Sequence, residues 1–163
     1  MDPAAYCDRI GLEYDDLAAD RDSLARLQRA HALSVPFETL SITGHPHADG
    51  NGEGVELALD ALYDKVVERR RGGFCYELNE LFRWLLAELG FAVERRSARV
   101  VSDDEPGLPA DHLALVVSLD RQYLVDVGTG TPNPLAPIPL AGERLTDGGA
   151  VAWRVGACDR PDL

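Results

Sequence analysis

Lysine is almost missing from this chain. Of its 16 Lys and Arg residues only Lys65 is a lysine, against 28 Asp and Glu, and the formal net charge is -12 over 163 residues. Such a field repels duplex nucleic acid and anionic membrane surfaces, so neither is expected as a partner. An acidic surface poor in lysine suits high salt, where cations screen self-repulsion, and predicts a halophilic protein. A GC-rich genome favouring Arg, Asp and Ala codons produces the same bias, and both readings stand. Long apolar runs are lacking too: none approaches the ~18 residues that mark a bilayer span. The start, Met1-Asp2-Pro3-Ala4-Ala5-Tyr6, is acidic and without the hydrophobic stretch of a secretory signal. Cysteine is scarce. Cys7, Cys75 and Cys158 are odd in number and far apart, which argues against a disulfide framework, and no Cys-x-x-Cys pair suggests zinc. A reducing, cytoplasmic setting is the expectation.

What is present is a change of period along the chain. Asp2-Pro3 opens a helix with Tyr6 and Ile10 on one face. Asp22-Ser23 reads as the cap of a second helix with a stripe of Leu24, Leu27, Ala30 and His31, broken by Val35-Pro36-Phe37. Residues 44–54 are rich in glycine and form a surface loop. Helical spacing returns over 57–68, stops at Gly72-Gly73, and resumes over 75–89 as the strongest helix, closed by Gly90. Beyond it, 93–101, 112–119 and 122–127 are strand-like. Residues 103–109 form a turn-forming loop, the four prolines of 132–139 bar that segment from a central strand, and 151–155 offers a last strand. Helices first and antiparallel strands after predict an α+β fold, and the length suits one large domain or two small ones.

Chemistry concentrates where these elements meet. Cys75 follows Gly72-Gly73-Phe74 and begins the strongest helix. There the free backbone amides and the positive helix end favour a thiolate, the form in which cysteine is a nucleophile. A lone cysteine is more often a small buried hydrophobe, the reading kept for Cys7 and Cys158. His112 borders Leu113-Ala114-Leu115-Val116-Val117, and Asp126 closes Tyr123-Leu124-Val125 before Val127-Gly128. Alone, the histidine reads as a satisfied core or edge residue and the aspartate as the start of a turn. Together, Cys, His and Asp at three element boundaries form the pattern of a thiol triad, the histidine taking a proton and the aspartate fixing its tautomer. His31, His45 and His47 compete for the base. His45-Pro46-His47 has no third ligand at fixed spacing and reads as a solvated turn, so no metal is expected.

The surrounding segments carry a resemblance. Arg9-Ile10-Gly11-Leu12, Val35-Pro36-Phe37-Glu38-Thr39-Leu40, Lys65-Val66-Val67, Arg71-Gly72-Gly73-Phe74-Cys75-Tyr76-Glu77-Leu78-Asn79, Leu89-Gly90-Phe91, Asp111-His112-Leu113 and Tyr123-Leu124-Val125-Asp126-Val127-Gly128 follow one another in this order. In order and spacing they resemble the motifs of the arylamine N-acetyltransferases, over about residues 6–139. The resemblance implies an N-terminal helical bundle over 1–90 that carries the nucleophile and an antiparallel β-barrel-like domain over 91–163 that carries the histidine and aspartate. It implies a papain-like Cys-His-Asp triad of Cys75, His112 and Asp126, and ping-pong chemistry with acetyl coenzyme A as donor and no bound cofactor. The acceptor would be a small arylamine, hydrazine or hydroxylamine.

By the same resemblance Arg9, Glu38, Arg71 and Glu77 form a structural ion-pair network, and Phe37, Phe74 and Thr129 border the acceptor pocket. Thr129 stands where the family commonly has Phe, and Thr39 where it has Asn. The chain stops about where the family's third domain, an α/β lid, begins, so that lid is expected to be absent. An amide synthase moving a larger acyl group, and a non-catalytic truncated paralogue that binds a ligand or partner, are the alternatives.

Overall fold

The computed structural model describes residues 1–44, 52, 54–102, 105–130, 132–147 and 151–157. His45, His47 and Cys158 lie outside the described residues, as does most of the 44–54 loop. Helix α1 (Pro3–Arg9) starts as expected, with proline in the first turn and the Asp2 carboxylate accepting the Ala4 N–H at 2.9 Å. Helix α2 (Arg21–Ser34) corrects the expected cap. Asp20 is the N-cap and accepts the Ser23 N–H at 2.8 Å, so the cap stands just ahead of the first helical residue rather than inside the first turn. Helix α3 is Leu40–Thr43 and α4 is Leu59–Tyr63. The spacing over 57–68 predicted one helix. The chain instead widens after α4 into a π-helical turn, Asp64–Glu68, where the Arg69 N–H reaches back five residues to the Asp64 carbonyl at 2.8 Å. The turn leaves Lys65, Val66 and Val67 buried.

Helix α5 (Cys75–Glu88) is the centre of the molecule. Its stripe of Leu78, Leu81, Phe82, Leu85 and Leu86 is fully or almost fully buried. Each such side chain contributes roughly 1.5–3 kcal/mol through removal from water. Trp84 binds it to the other helices, stacking on Tyr6 with ring centroids 6.4 Å apart and meeting Tyr63 edge-on at 5.8 Å.

The strands are β1 (Ala92–Ala98), β2 (Val101–Ser102), β3 (Glu105–Pro106), β4 (His112–Ser118), β5 (Gln122–Val125), β6 (Ile138–Pro139), β7 (Leu145–Thr146) and β8 (Ala152–Trp153). Antiparallel pairing gives one sheet of order β1-β4-β5-β6 and two ribbons, β2-β3 and β7-β8. The expected strand over 93–101 thus divides, its last residue joining a ribbon with part of the expected 103–109 loop. Among the described residues the sheet is open and does not close into a complete barrel. β1 is a charged outer strand carrying Glu94, Arg95 and Arg96, and β6 is two residues long and ends in proline, which has no N–H to extend the ladder. β4 lies in the middle, buried from His112 to Val117. One core serves both kinds of element, joining Leu81, Phe82 and Leu85 of α5 to Leu115 and Val117 of β4 and to Tyr123 and Val125 of β5. No helix among the described residues is long and apolar enough to cross a membrane.

Candidate active site

Three element ends converge on one point. Cys75 is the first residue of α5, His112 is the first of β4, and Asp126 follows β5 directly. Since β4 and β5 run antiparallel, the start of one lies beside the end of the other, and α5 packs against β4 and β1. All three side chains are buried, at 7, 8 and 4% exposure for Cys75, His112 and Asp126. The His112 Nε2 lies 2.6 Å from Asp126 Oδ2, and Cys75 stands near enough to the same ring to favour its charged form. With Nε2 held by the carboxylate, Nδ1 is the nitrogen left to serve the thiol. The sulfur also lies 3.8 Å from the Asp111 carbonyl, its acceptor. A Cβ at Gly128 would stand 2.6 Å from the Cys75 Cα, so only glycine lets the strand exit pass this close to the nucleophile.

Burial disfavours the charged imidazole, but hydrogen bonds to Asp126 and Cys75 and their charges outweigh it, and His112 is pushed up from 6.5 to about 10. A histidine that keeps its proton at neutral pH beside a helix-start cysteine is the partner that a thiolate needs. His31 is the opposite case. It is fully buried with both ring nitrogens unpartnered among the described residues, and burial, then the nearby Arg9 charge, lowers it to about 3. It stays neutral between Tyr6 and Phe82 and has no part in proton transfer at this site. Cys7, whose thiol burial pushes up to about 11, is inert in the same way.

The triad has a support that sequence reasoning quoted but did not assign. Asn79 lies four residues after Cys75, on the same helix face. Its amide nitrogen donates to Asp126 Oδ1 at 2.9 Å and to the Leu113 carbonyl at 2.6 Å, and its oxygen accepts the Val127 N–H at 3.0 Å. Asp126 Oδ1 also accepts the Gly128 N–H at 2.9 Å. Gln28, unassigned in the sequence reading, donates to the Asp126 carbonyl from α2. A fully polar residue on a helical apolar stripe is the signal that would have found both.

The ion-pair expectation is redistributed. Arg71 Nη2 meets Glu38 Oε1 at 3.0 Å. Glu77 instead pairs with Lys65, whose Nζ lies 2.7 and 2.8 Å from its two oxygens, 2.8 Å from Ser41 Oγ and 3.7 Å from Glu38. Lys65 is buried within the π-helical turn. Glu77 also accepts the Phe74 N–H at 3.1 Å and so caps α5 at the nucleophile. Arg9 touches no carboxylate in the described contacts. It donates to the carbonyls of Val66, Ser34 and Arg70, tying α1 to α2 and to the π-helical turn.

Of the expected acceptor residues, Phe37 is 46% exposed and its backbone bridges Gly73. Phe74 is half-buried against Tyr76, ring centroids 6.1 Å apart. Thr129 is exposed and its hydroxyl engages the Pro132 carbonyl and Asn133. Among the described residues no group of three or more His, Cys, Asp and Glu is placed to hold a metal.

The N-acetyltransferase family model matches residues 20–155. An arylamine N-acetyltransferase of Mycolicibacterium smegmatis is 45% identical over 148 residues, covering 86% of this chain and 50% of that protein. The structure of the Mycobacterium marinum arylamine N-acetyltransferase in complex with CoA superposes with a TM-score of 0.80 at 37% identity, covering 99% of this chain and 58% of that one. A Bacillus cereus arylamine N-acetyltransferase described by a Cys-His-Glu triad matches with a TM-score of 0.77 at 30% identity, over 88% of this chain and 55% of that one. The chain spans about half the length of the curated relatives it matches. With this fold, this order of Cys75, His112 and Asp126, and these matches, the chain belongs to the arylamine N-acetyltransferase family.

Proposed function

We propose that this chain transfers an acetyl group from acetyl coenzyme A to a small arylamine, hydrazine or hydroxylamine, with Cys75 as the acyl carrier. The observation that carries this reading is His112 held by the Asp126 carboxylate at 2.6 Å, with Cys75 beside the ring at the start of α5. The thiolate attacks the thioester carbonyl carbon, and the tetrahedral intermediate expels the coenzyme A sulfur, which takes the proton from His112. The acceptor nitrogen then attacks the acyl-cysteine, its proton passes to His112, and the sulfur leaves as the thiolate. Asp126 keeps the ring oriented and stabilises its charge throughout.

The acceptor edge is assigned to Phe37, Phe74 and Thr129. The Glu38–Arg71 and Lys65–Glu77 pairs are assigned to holding the segments on either side of the nucleophile. The nucleophile is assigned to a part over residues 1–90 and its base to a part over residues 91–163. The proposed setting is a reducing cytoplasm, where a free thiol persists, and the acidic surface points to high salt. Steady-state rates with acetyl coenzyme A and 4-aminobenzoate both varied test the reading. A ping-pong enzyme gives parallel double-reciprocal lines and Cys75→Ala abolishes turnover, whereas intersecting lines or an active Cys75→Ala protein contradict it.

A further inference from the structure

Gln28 is the least expected contact of the site. It lies on α2, fully buried, on the helix stripe where an apolar residue would be usual. Its Nε2 donates to two carbonyls eight residues apart, Pro134 at 2.9 Å and Asp126 at 3.3 Å. Both partners are acceptors, so the amide nitrogen must face them, and Oε1 is left buried with no partner among the described residues. An orphaned acceptor is costly, and the two hydrogen bonds that the amide nitrogen donates offset that cost.

Between them the chain leaves the triad and turns back. Gly128 passes against Cys75, and a Cβ built at Gly130 would lie 3.7 Å from the Phe37 ring. Thr129 ties the turn internally to Pro132 and Asn133. Residues 128–130 therefore run as a wall from the nucleophile to Phe37, and Gln28 holds one carbonyl on either side of them.

Resting on the acyl-transfer reading above, we infer that Gln28 is a positioning residue that sets this wall and thereby the size of amine that reaches the acyl-cysteine. The test uses the full chain with Gln28→Met, close in volume but without a donor, and Gln28→Glu, whose carboxylate faces two carbonyls unless it is protonated. Amide exchange at Val127 and Gly128, followed by NMR, should quicken roughly 2- to 10-fold in Gln28→Met, the range that one lost hydrogen bond converts to, while α5 is unchanged. With p-nitrophenyl acetate as donor, the ratio of kcat/KM for 4-butylaniline over aniline should shift by about 10-fold toward the bulkier amine, within the loss that a misplaced group can cause. In Gln28→Glu the shift should shrink as pH falls, and the ratio divides out titrations shared by both amines. General destabilisation lowers both amines equally and leaves the ratio unmoved. An unchanged ratio overturns the selectivity role, and unchanged exchange overturns the clamp itself. If the wild-type protein is not acylated by the ester, the acyl-transfer reading fails and selectivity with it, while the exchange rates still decide the clamp.

Discussion

Asp126 has both carboxylate oxygens engaged inside the protein, one by His112 and the other by Asn79 and Gly128. Asp126→Asn keeps the shape but presents an amide to His112. Transfer should fall by several orders of magnitude, up to roughly the 10⁴ known for a serine triad, in a folded protein. The same substitution removes the foremost group that raises His112 against its burial, so an NMR titration of the ring should show its pKa well below about 10. A ring that still titrates near 10 would remove Asp126 from that role. In the wild type the sign is fixed by the raised value. Stabilisation from the charged ring is fully present below about pH 6.5 and is lost as pH rises toward about 10, which urea unfolding across that window measures. Lys65 gives a second residue-scale expectation. Lys65→Met leaves the Glu77 carboxylate buried without its cation, and the unfolding free energy should drop by about 3–5 kcal/mol. A change below ~1 kcal/mol is what an exposed pair gives and would contradict the buried assignment.

At the scale of elements, α5 is the frame on which the site is assembled. Asn79 fastens it to β4 through Leu113 and to the end of β5 through Asp126 and Val127. Asn79→Ala should lower transfer and also quicken amide exchange at Val127, because one side chain serves both strands; exchange unchanged at Val127 would show that the strand end holds itself. The helices were largely legible in the chain because their apolar stripes, proline starts and glycine stops are local. Cys75, His112 and Asp126 were legible as candidates because each stands at an element boundary. The π-helical turn that holds Lys65 was not, since it changes the hydrogen-bond pattern of the backbone without changing the residue pattern. Nor was the Asp20 cap, which differs from Asp22 by two residues and depends on where the chain enters α2. The short strands β6 and β7 owe their pairing to distant partners, so local pattern carries little trace of them. Asn79 and Gln28 gain their meaning from carbonyls tens of residues away.

Over the whole molecule the dominant feature is charge. A net charge of -12 with one lysine, and that lysine buried against Glu77, leaves arginine as the basic side chain of the surface. Self-repulsion opposes the compact state and is screened by salt. The melting temperature should rise from low to molar potassium chloride, and a flat or falling melt would refute the salt-adaptation proposal.

The central claim is that this geometry makes Cys75 an acyl carrier. Incubation with acetyl coenzyme A or p-nitrophenyl acetate, followed by intact mass and peptide mapping, reads it directly. The account predicts a single acetyl group on Cys75, discharged by an added arylamine and absent from Cys75→Ala. An acetyl group on Cys7 or Cys158 instead, or none on Cys75 of the folded protein, would contradict it.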